Sequence, residues 1–335
     1  MVKLKPIKKN EKIAIAIPTK NRLNYLIALL TSLIHQTYTN WMLVINDDSD
    51  FPIEENDTVK DLFTLMKHRE NDIKVIHGGS GWERHQKAME TVPESIEFIL
   101  RIDDDVMLTP TFLQDILKPF YFFPHKPLAA VGGCYPEPYM KPINLDVRLT
   151  DPSWIPKFDD PTWRLQGHYY YYTNQIIEVE SLLGHAICYR RSAVQDVGGW
   201  AVRGYSNHAH REESDLCARL IAEGYSLMVT TEALAWHLYS PGGGSREIQK
   251  TKEGNFLISD KRSIEEDDRL FQERIKQIIN TKAPIHKELR RYEISNLEKK
   301  VYKSSPLVTP KGKILNFVEK RFLRFFRKLL LYFAK

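Results

Sequence analysis

IAIAIPTKNRLNYLIALLTSLIHQTYTNWMLVINDDSD, residues 13–50, is the stretch from which the fold of this 335-residue chain is read. It opens on a short β-favouring run, IAIAI, that Pro18 interrupts. A helical stretch follows from about Leu23 to His35, and WMLVIN at 41–46 is a second β-favouring run. Strand, helix and strand at these lengths make a βαβ unit. The alternation continues with a helical stretch from Val59 to His68, IKVI at 73–76, a further helix from Trp82 to Thr91, and FILRI at 98–102. Such a pattern predicts an α/β fold, a mainly parallel sheet with helices on both faces. Ligands of these sheets lie at the carboxyl ends of the strands. Here those ends read Pro18-Thr19, Asp47-Asp48, His77-Gly78-Gly79 and Asp103-Asp104-Asp105.

The last of these ends is the most unusual. FILRIDDDVMLTP, residues 98–110, passes from an apolar run into three adjacent carboxylates, which repel one another unless something positive lies against them. Alternate residues at a strand end share a side, so Asp103 and Asp105 are expected to face one divalent cation while Asp104 faces away. Oxygen ligands suit Mg²⁺ or Mn²⁺ better than zinc. Taken alone, the cluster reads equally as a solvated turn in which Asp caps the following helix.

Charge is unevenly placed. Residues 311–335 hold eight Lys or Arg against Glu319, a local +7 within a chain whose net charge is +5. A nucleic-acid binder would carry basic charge across its folded face as well, so no nucleic-acid partner is expected. The three cysteines, Cys134, Cys188 and Cys217, are odd in number and lack metal-ligand spacing, which excludes a disulfide framework and a structural zinc site and fits a reducing compartment. MVKLKPIKKNEK is basic but no apolar signal core follows it, and no apolar run is long enough to span a bilayer.

Between Tyr135 and Thr173 the pattern dissolves into Pro and aromatic residues, including PSWIP, PTWRLQGH and Tyr169 to Tyr172. Aromatic faces suit the C–H faces of sugar rings, although a loop packed by its own aromatics reads the same way. AICYR at 186–190, a turn at Gly198-Gly199-Trp200, a helix from about Glu212 to Glu223, LMVTTEALAWH and the run Gly242 to Gly244 follow. Beyond about residue 250 the chain is charged and helix-favouring, with no chemistry legible in it.

In order, these segments resemble family 2 glycosyltransferases with the GT-A fold, a Rossmann-like nucleotide-sugar-binding fold. Residues 13–50 are similar to the family's opening, GGSGWERHQKAM stands for its Gly-rich and Ala-Arg-Asn segment, and IDDDVMLTP for its DxD motif. SLLGHAICYRRSAVQDVGGW, REESDLCARL in the place of the Glu-Asp-x-Asp motif, and WHLYSPGGGSR complete a match over roughly residues 11–246. The resemblance implies transfer of a sugar from a nucleoside diphosphate to a hydroxyl, with Mn²⁺ or Mg²⁺ as cofactor. It places the metal on Asp105 first, with Asp103 and His237. Pro18, Thr19, Arg22, Asp47, Asp48, Arg84, Asp103, Asp104 and Arg246 would border the donor. His85 stands where the family has Asn.

The resemblance also has Asp48 accept a hydrogen bond from the base; an aspartate that accepts the N3–H of uracil implies UDP, and thymine shares that donor. Glu213 falls on the position of the catalytic base, with Glu212 before it and Asp215 as a second acid toward the acceptor. Inversion at the anomeric carbon is the expected outcome and retention the alternative. Gly242 to Arg246 would form a loop closing over the donor, or a linker. The expected organisation is a catalytic domain over 1–250, a helical extension over 251–310 and a basic amphipathic helix over 311–335.

That last segment separates Ile314, Leu315, Val318, Phe322, Phe325, Phe326, Leu329 and Phe333 from six Lys or Arg on its other face. This pattern suits an anionic membrane surface, or a partner helix covering the apolar face. With a lipid-linked acceptor, the expected location is the cytoplasmic face of the cell membrane. Two rivals stand beside this reading: a nucleotidyltransferase, which would carry a Gly-rich phosphate loop where PTKNR stands, and a catalytically silent sugar-nucleotide or glycan-binding module.

Overall fold

The computed structural model describes residues 10–79, 83–135, 174–200, 204–206, 210–238, 248–250, 256–258, 261–281 and 291–298. The chain forms two compact units, Met1–Tyr292 and Glu293–Lys335. The elements in chain order are β1 (Ile13–Thr19), α1 (Leu23–Ile34), β2 (Trp41–Asp47), α2 (Asp57–His68), β3 (Asp72–His77), α3 (Glu83–Thr91), β4 (Phe98–Ile102) and β5 (Val106–Leu108). They continue with α4 (Phe112–Phe122), β6 (Leu128–Cys134), β7 (Gln175–Val179), β8 (Ala186–Arg190), α5 (Arg191–Asp196), α6 (Glu212–Ala222), β9 (Ser226–His237), β10 (Ile248–Lys250), β11 (Phe256–Ile258), α7 (Lys261–Thr281) and β12 (Arg291–Glu293).

The strands of the main sheet lie in the order β7-β9-β6-β8-β4-β1-β2-β3, and β5 pairs with β9. β1, β2, β3, β4, β6 and β9 run one way, and β5, β7 and β8 run against them. This is the mixed, mainly parallel α/β architecture expected from the alternation. IAIAI is apolar throughout, and FILRI is apolar but for Arg101, because β1 and β4 are interior strands buried on both faces. β3 alternates between exposed and half-buried positions because it is an edge strand.

Helices cover the sheet through apolar stripes at helical spacing. α1 buries Leu26, Leu29, Leu30 and Leu33, and α2 buries Val59, Phe63 and Met66. Asn56 caps α2, its side-chain oxygen accepting the Val59 N–H at 3.2 Å. All three cysteines are free and buried, in keeping with the absence of a disulfide framework. α7 belongs to the first compact unit. Its apolar stripe packs on α6, which makes it part of the same body. Among the described residues no helix is long and apolar enough to cross a membrane. The amphipathic stretch 311–335 lies outside the described residues.

At Gly133 in β6, a Cβ would stand 2.9 Å from the Phe112 ring and 3.0 Å from the Ala233 carbonyl oxygen. α4 and β9 meet the strand there without room for a methyl group. Gly133→Ala is expected to destabilise the protein by about 1–3 kcal/mol, the usual cost of overpacking. Urea unfolding of the variant against the parent checks this.

Candidate active site

Parallel pairing sets Thr19 opposite Asp47 and Asp47 opposite His77 at one edge of the sheet. The loops leaving β1 and β2 are tied together there. The Asp48 N–H donates to the Thr19 carbonyl at 3.0 Å, the Asn21 N–H donates to Ser49 Oγ at 2.9 Å, and Asn21 and Asp50 exchange bonds of 3.0 and 3.1 Å. Asn21 takes a left-handed backbone, φ 55°, which asparagine tolerates better than most residues. Pro18 lies within β1 opposite Asn46. Asp48 keeps 30% of its side chain exposed and holds Lys20 at 3.1 Å. Asp47, expected beside the donor, is buried and accepts the N–H groups of Ser49 and Ile53, each at 3.0 Å. Its carboxylate shapes the loop.

Each member of the aspartate triplet has its own partners. Asp104 accepts from Thr19 Oγ1 at 2.8 Å and from Arg22 Nη1 at 3.0 Å, and the same Arg22 nitrogen reaches Asp105 at 3.2 Å. Asp103 takes Arg101 Nη2 at 3.0 Å and lies 3.4 Å from His185 Nδ1. Asp105 lies 3.2 Å from His237 Nε2, and the His185 and His237 rings stack with centroids 4.2 Å apart. Asp103 and Asp105 therefore both reach the imidazole pair, while Asp104 turns to Thr19 and Arg22.

Backbone register produces this arrangement. Val106 pairs with His237, the Leu238 N–H donates to the Asp105 carbonyl at 2.8 Å, and the Asp103 N–H donates to the His185 carbonyl at 2.9 Å. Burial raises the Asp104 carboxyl to about 6 even though Arg22 opposes it. Burial would also raise Asp105, but hydrogen bonding and charge from His237, with Arg22, outweigh it and hold that carboxyl at about 2. Asp103 is likewise held low, its burial outweighed by Arg101 and His185.

A divalent ion fits part of the expected ligand set. The 3.2 Å between a carboxylate oxygen of Asp105 and Nε2 of His237 is close to the edge of an octahedron with metal–ligand bonds of about 2.1 Å. Asp103 is drawn aside by Arg101, and it does not close into a trio with them. The one group of three metal-capable side chains within 4.8 Å of one another among the described residues is Asp47, Glu54 and His77.

Arg101 ties the aspartates to the first turn of α6. Its Nη2 lies 3.2 Å from His85 Nε2 and 3.5 Å from Glu212 Oε1, and His85 Nε2 is 2.9 Å from that same oxygen. The three groups thus crowd around one carboxyl oxygen. Burial favours the neutral form of both His85 and Glu212. It lowers His85 well below the usual histidine range, aided by the Arg101 charge, and raises Glu212 to about 8 against the pull of Arg101.

Glu213, half-buried next in the turn, is raised by burial as well, against the same Arg101. Gly184 makes room for these groups, since a Cβ there would stand 2.8 Å from Arg101 Nη1 and 3.3 Å from Glu213 Oε1. Asp215, expected toward the acceptor, is buried and taken up by Arg219 at 2.8 Å, Arg274 at 2.7 Å and Tyr205 at 3.1 Å. The backbone carbonyl of Arg84 accepts from Asn46 at 3.2 Å, and its charge is felt by Glu212. Arg246, the glycines at 242–244 and residues 136–173 lie outside the described residues.

Sequence reasoning missed Arg101, His185, Gly184 and Arg274. A lone charge inside the apolar run FILRI was the available signal for Arg101. No local pattern marks the others.

The protonated state of Glu212 has a measurable consequence. In the unfolded chain this group titrates near 4.5 and in the folded protein at about 8. Below 4.5 both forms carry the proton; between the two values only the folded form keeps it, so its contribution to stability falls as pH rises and is fully lost above 8. Glu212→Gln mimics the neutral acid and removes that slope. Its melting temperature relative to the parent should therefore rise between pH 5 and pH 9 in thermal melts, and a constant difference would contradict the assignment.

A sequence model of the family described as Glycosyl transferase family 2 matches residues 14–198. No curated protein matches significantly by sequence. Among solved structures, S. aureus TarS is similar at 17% identity and TM-score 0.44 over 69% of this chain. The match spans only 37% of the TarS chain. TarS 1–349 in complex with UDP-GlcNAc is similar at 16% identity and TM-score 0.50, covering 86% of this chain and 70% of that one. Mannosyltransferase PcManGT from Pyrobaculum calidifontis, in complex with GDP-Man and Mn²⁺, is similar at 11% identity and TM-score 0.48, covering 87% and 79%. The family match runs from β1 through the aspartate triplet to the turn after α5, more than half of the chain, and the protein belongs to glycosyl transferase family 2, with the GT-A fold.

Proposed function

We propose that this protein is a metal-dependent, inverting glycosyltransferase. It moves a hexose or N-acetylhexosamine from a UDP-sugar to a hydroxyl of a glycan or lipid-linked glycan, in surface polysaccharide or glycoconjugate synthesis. One observation carries the reading: three aspartates stand at the sheet edge, two of them sharing Arg22, and the third, Asp103, is joined through buried Arg101 to the acidic first turn of α6. A donor site and an acid–base site are thereby held at a fixed separation.

Asp105 and His237 would hold Mn²⁺ or Mg²⁺, with Asp103 beside them. The bound ion would supply neutralisation of the charge that develops on the leaving diphosphate. Thr19 and Arg22, fixed by Asp104, border the donor with Pro18, and Arg84 and Arg246 add positive charge toward the diphosphate. Lys20 on one oxygen of Asp48 orients that carboxylate, which supports its role in accepting the uracil N3–H. Glu213 takes the acceptor proton. Its neighbour Glu212 already carries one, and a carboxyl raised by burial accepts a proton more readily near neutral pH. The basic tail, residues 311–335, would hold the enzyme at the anionic cytoplasmic face of a membrane, close to a lipid-linked acceptor.

Calorimetric titration of UDP, GDP and dTDP, with and without Mn²⁺, tests the donor site. Metal-dependent binding of UDP that Asp105→Ala abolishes is the expected result, and binding of no nucleotide would leave a silent module. Glu213→Gln should keep UDP affinity while lowering turnover of the donor by about 10²–10⁴-fold. Deleting 311–335 should remove binding to anionic vesicles and leave donor hydrolysis intact, whereas unchanged vesicle binding would refute the anchor.

A further inference from the structure

α6 starts without a side-chain cap. Its preceding residue, Arg211, is in the left-handed region at φ 79°, and the first turn holds Glu212, Glu213 and Asp215. A non-glycine residue at that φ persists only when its surroundings hold it there. The support comes from α7, in the part of the chain where the sequence shows no chemistry.

Asp267 is 1% exposed and accepts three hydrogen bonds from the segment that leads into α6: Ser206 N–H at 2.7 Å, Ser206 Oγ at 2.8 Å and His210 N–H at 2.9 Å. Asp268 accepts from Arg211 Nε at 2.6 Å, on the strained residue itself. One helical repeat further on, Arg274 Nε donates to Asp215 at 2.7 Å. Asp215 is two residues beyond Glu213, and Arg219 Nε occupies its other oxygen at 2.8 Å. Arg219 in turn donates to the Val197 and Gly199 carbonyls at 2.7 and 2.8 Å.

Asp267, Phe271 and Arg274 follow i, i+4, i+7 spacing, so they share one face of α7 with Asp268 and Ile275 beside them. Phe271 and Ile275, each 1% exposed, would suffice to dock the helix. The charged members of the face go further, because every one of their bonds ends on the approach to α6 or on its first turn.

We infer that Arg274, with Asp267 and Asp268, positions the Glu213 carboxylate for proton transfer, acting through Asp215 and the turn at His210-Arg211. These are positioning residues and touch no substrate. The inference rests on Glu213 being the base. A carboxylate displaced by about 1 Å can lose on the order of 10²-fold in rate while the donor site, built on other strands, is untouched.

The test is a cycle on the full-length protein with Arg274→Ala, Glu213→Gln and the double variant. UDP release is measured from a panel of UDP-hexoses and UDP-N-acetylhexosamines, and UDP affinity is measured with Mn²⁺. In the parent background Arg274→Ala should lower kcat by about 10–10²-fold with UDP affinity unchanged. In the Glu213→Gln background it should lower kcat no further, because residues acting through one group are not additive. An equal loss in both backgrounds, or none in the parent, overturns the inference. Full turnover by Glu213→Gln, or no turnover of any UDP-sugar by the parent, refutes the function itself and the inference with it. Arg274→Lys, which keeps the charge and loses the Nε–H, replaces Arg274→Ala in the same cycle if the alanine variant does not fold, with the same outcomes deciding.

Discussion

Burial of the Arg101 guanidinium at the end of β4 is the constraint on which the rest of the site depends. The side chain is 9% exposed, and a charge so far from water is tolerated only when paired and hydrogen-bonded. Asp103 supplies the counter-charge at 3.0 Å, and the remaining neighbours must adapt to a group that can only donate. Burial keeps His85 neutral and lets Glu212 hold its proton against the pull of Arg101, and Gly184 has no side chain where Arg101 Nη1 lies.

The same logic sorts the acids. Five carboxylates, Asp103 to Asp105 with Glu212 and Glu213, meet at this edge of the sheet and would repel if all were ionised in the same environment. Their surroundings separate them. Asp105 is held at about 2 by His237 and Arg22, Asp104 is pushed up to about 6 and Glu212 to about 8. Groups whose environments drive their ionisation apart can divide the work of holding cations and of moving a proton. Asp47 and Asp215 stand outside that division, since backbone N–H groups occupy the first and two arginines the second.

Much of the fold was legible because β1, α1 and β2 announce themselves within 38 residues, and because strands buried on both faces read as mainly apolar runs. The candidate site was legible where a residue sits at a strand end or in an ordered motif: Thr19, Asp48, the aspartate triplet and Glu213. It was illegible where a side chain takes its meaning from a distant partner. His185 reads as an ordinary residue after a glycine until it stacks on His237. Asp267 and Arg274 read as solvated charge on a polar helix until α7 packs against α6.

Local sequence determined which segments are strands and helices, that their carboxyl ends carry acids, and, through an ordered series of motifs, the family. Strands and helices follow from short-range periodicity, which a linear pattern records in full, and the family from the order of the motifs. Tertiary structure alone decided which cation lies on which carboxylate, which acid keeps its proton, and that a helix beyond residue 260 holds the first turn of α6. Thr19 and Asp104 are 85 positions apart, and Arg22 and Asp105 are 83. Their bond, and the loss of water that sets each group's ionisation, exist only once the sheet has closed around them.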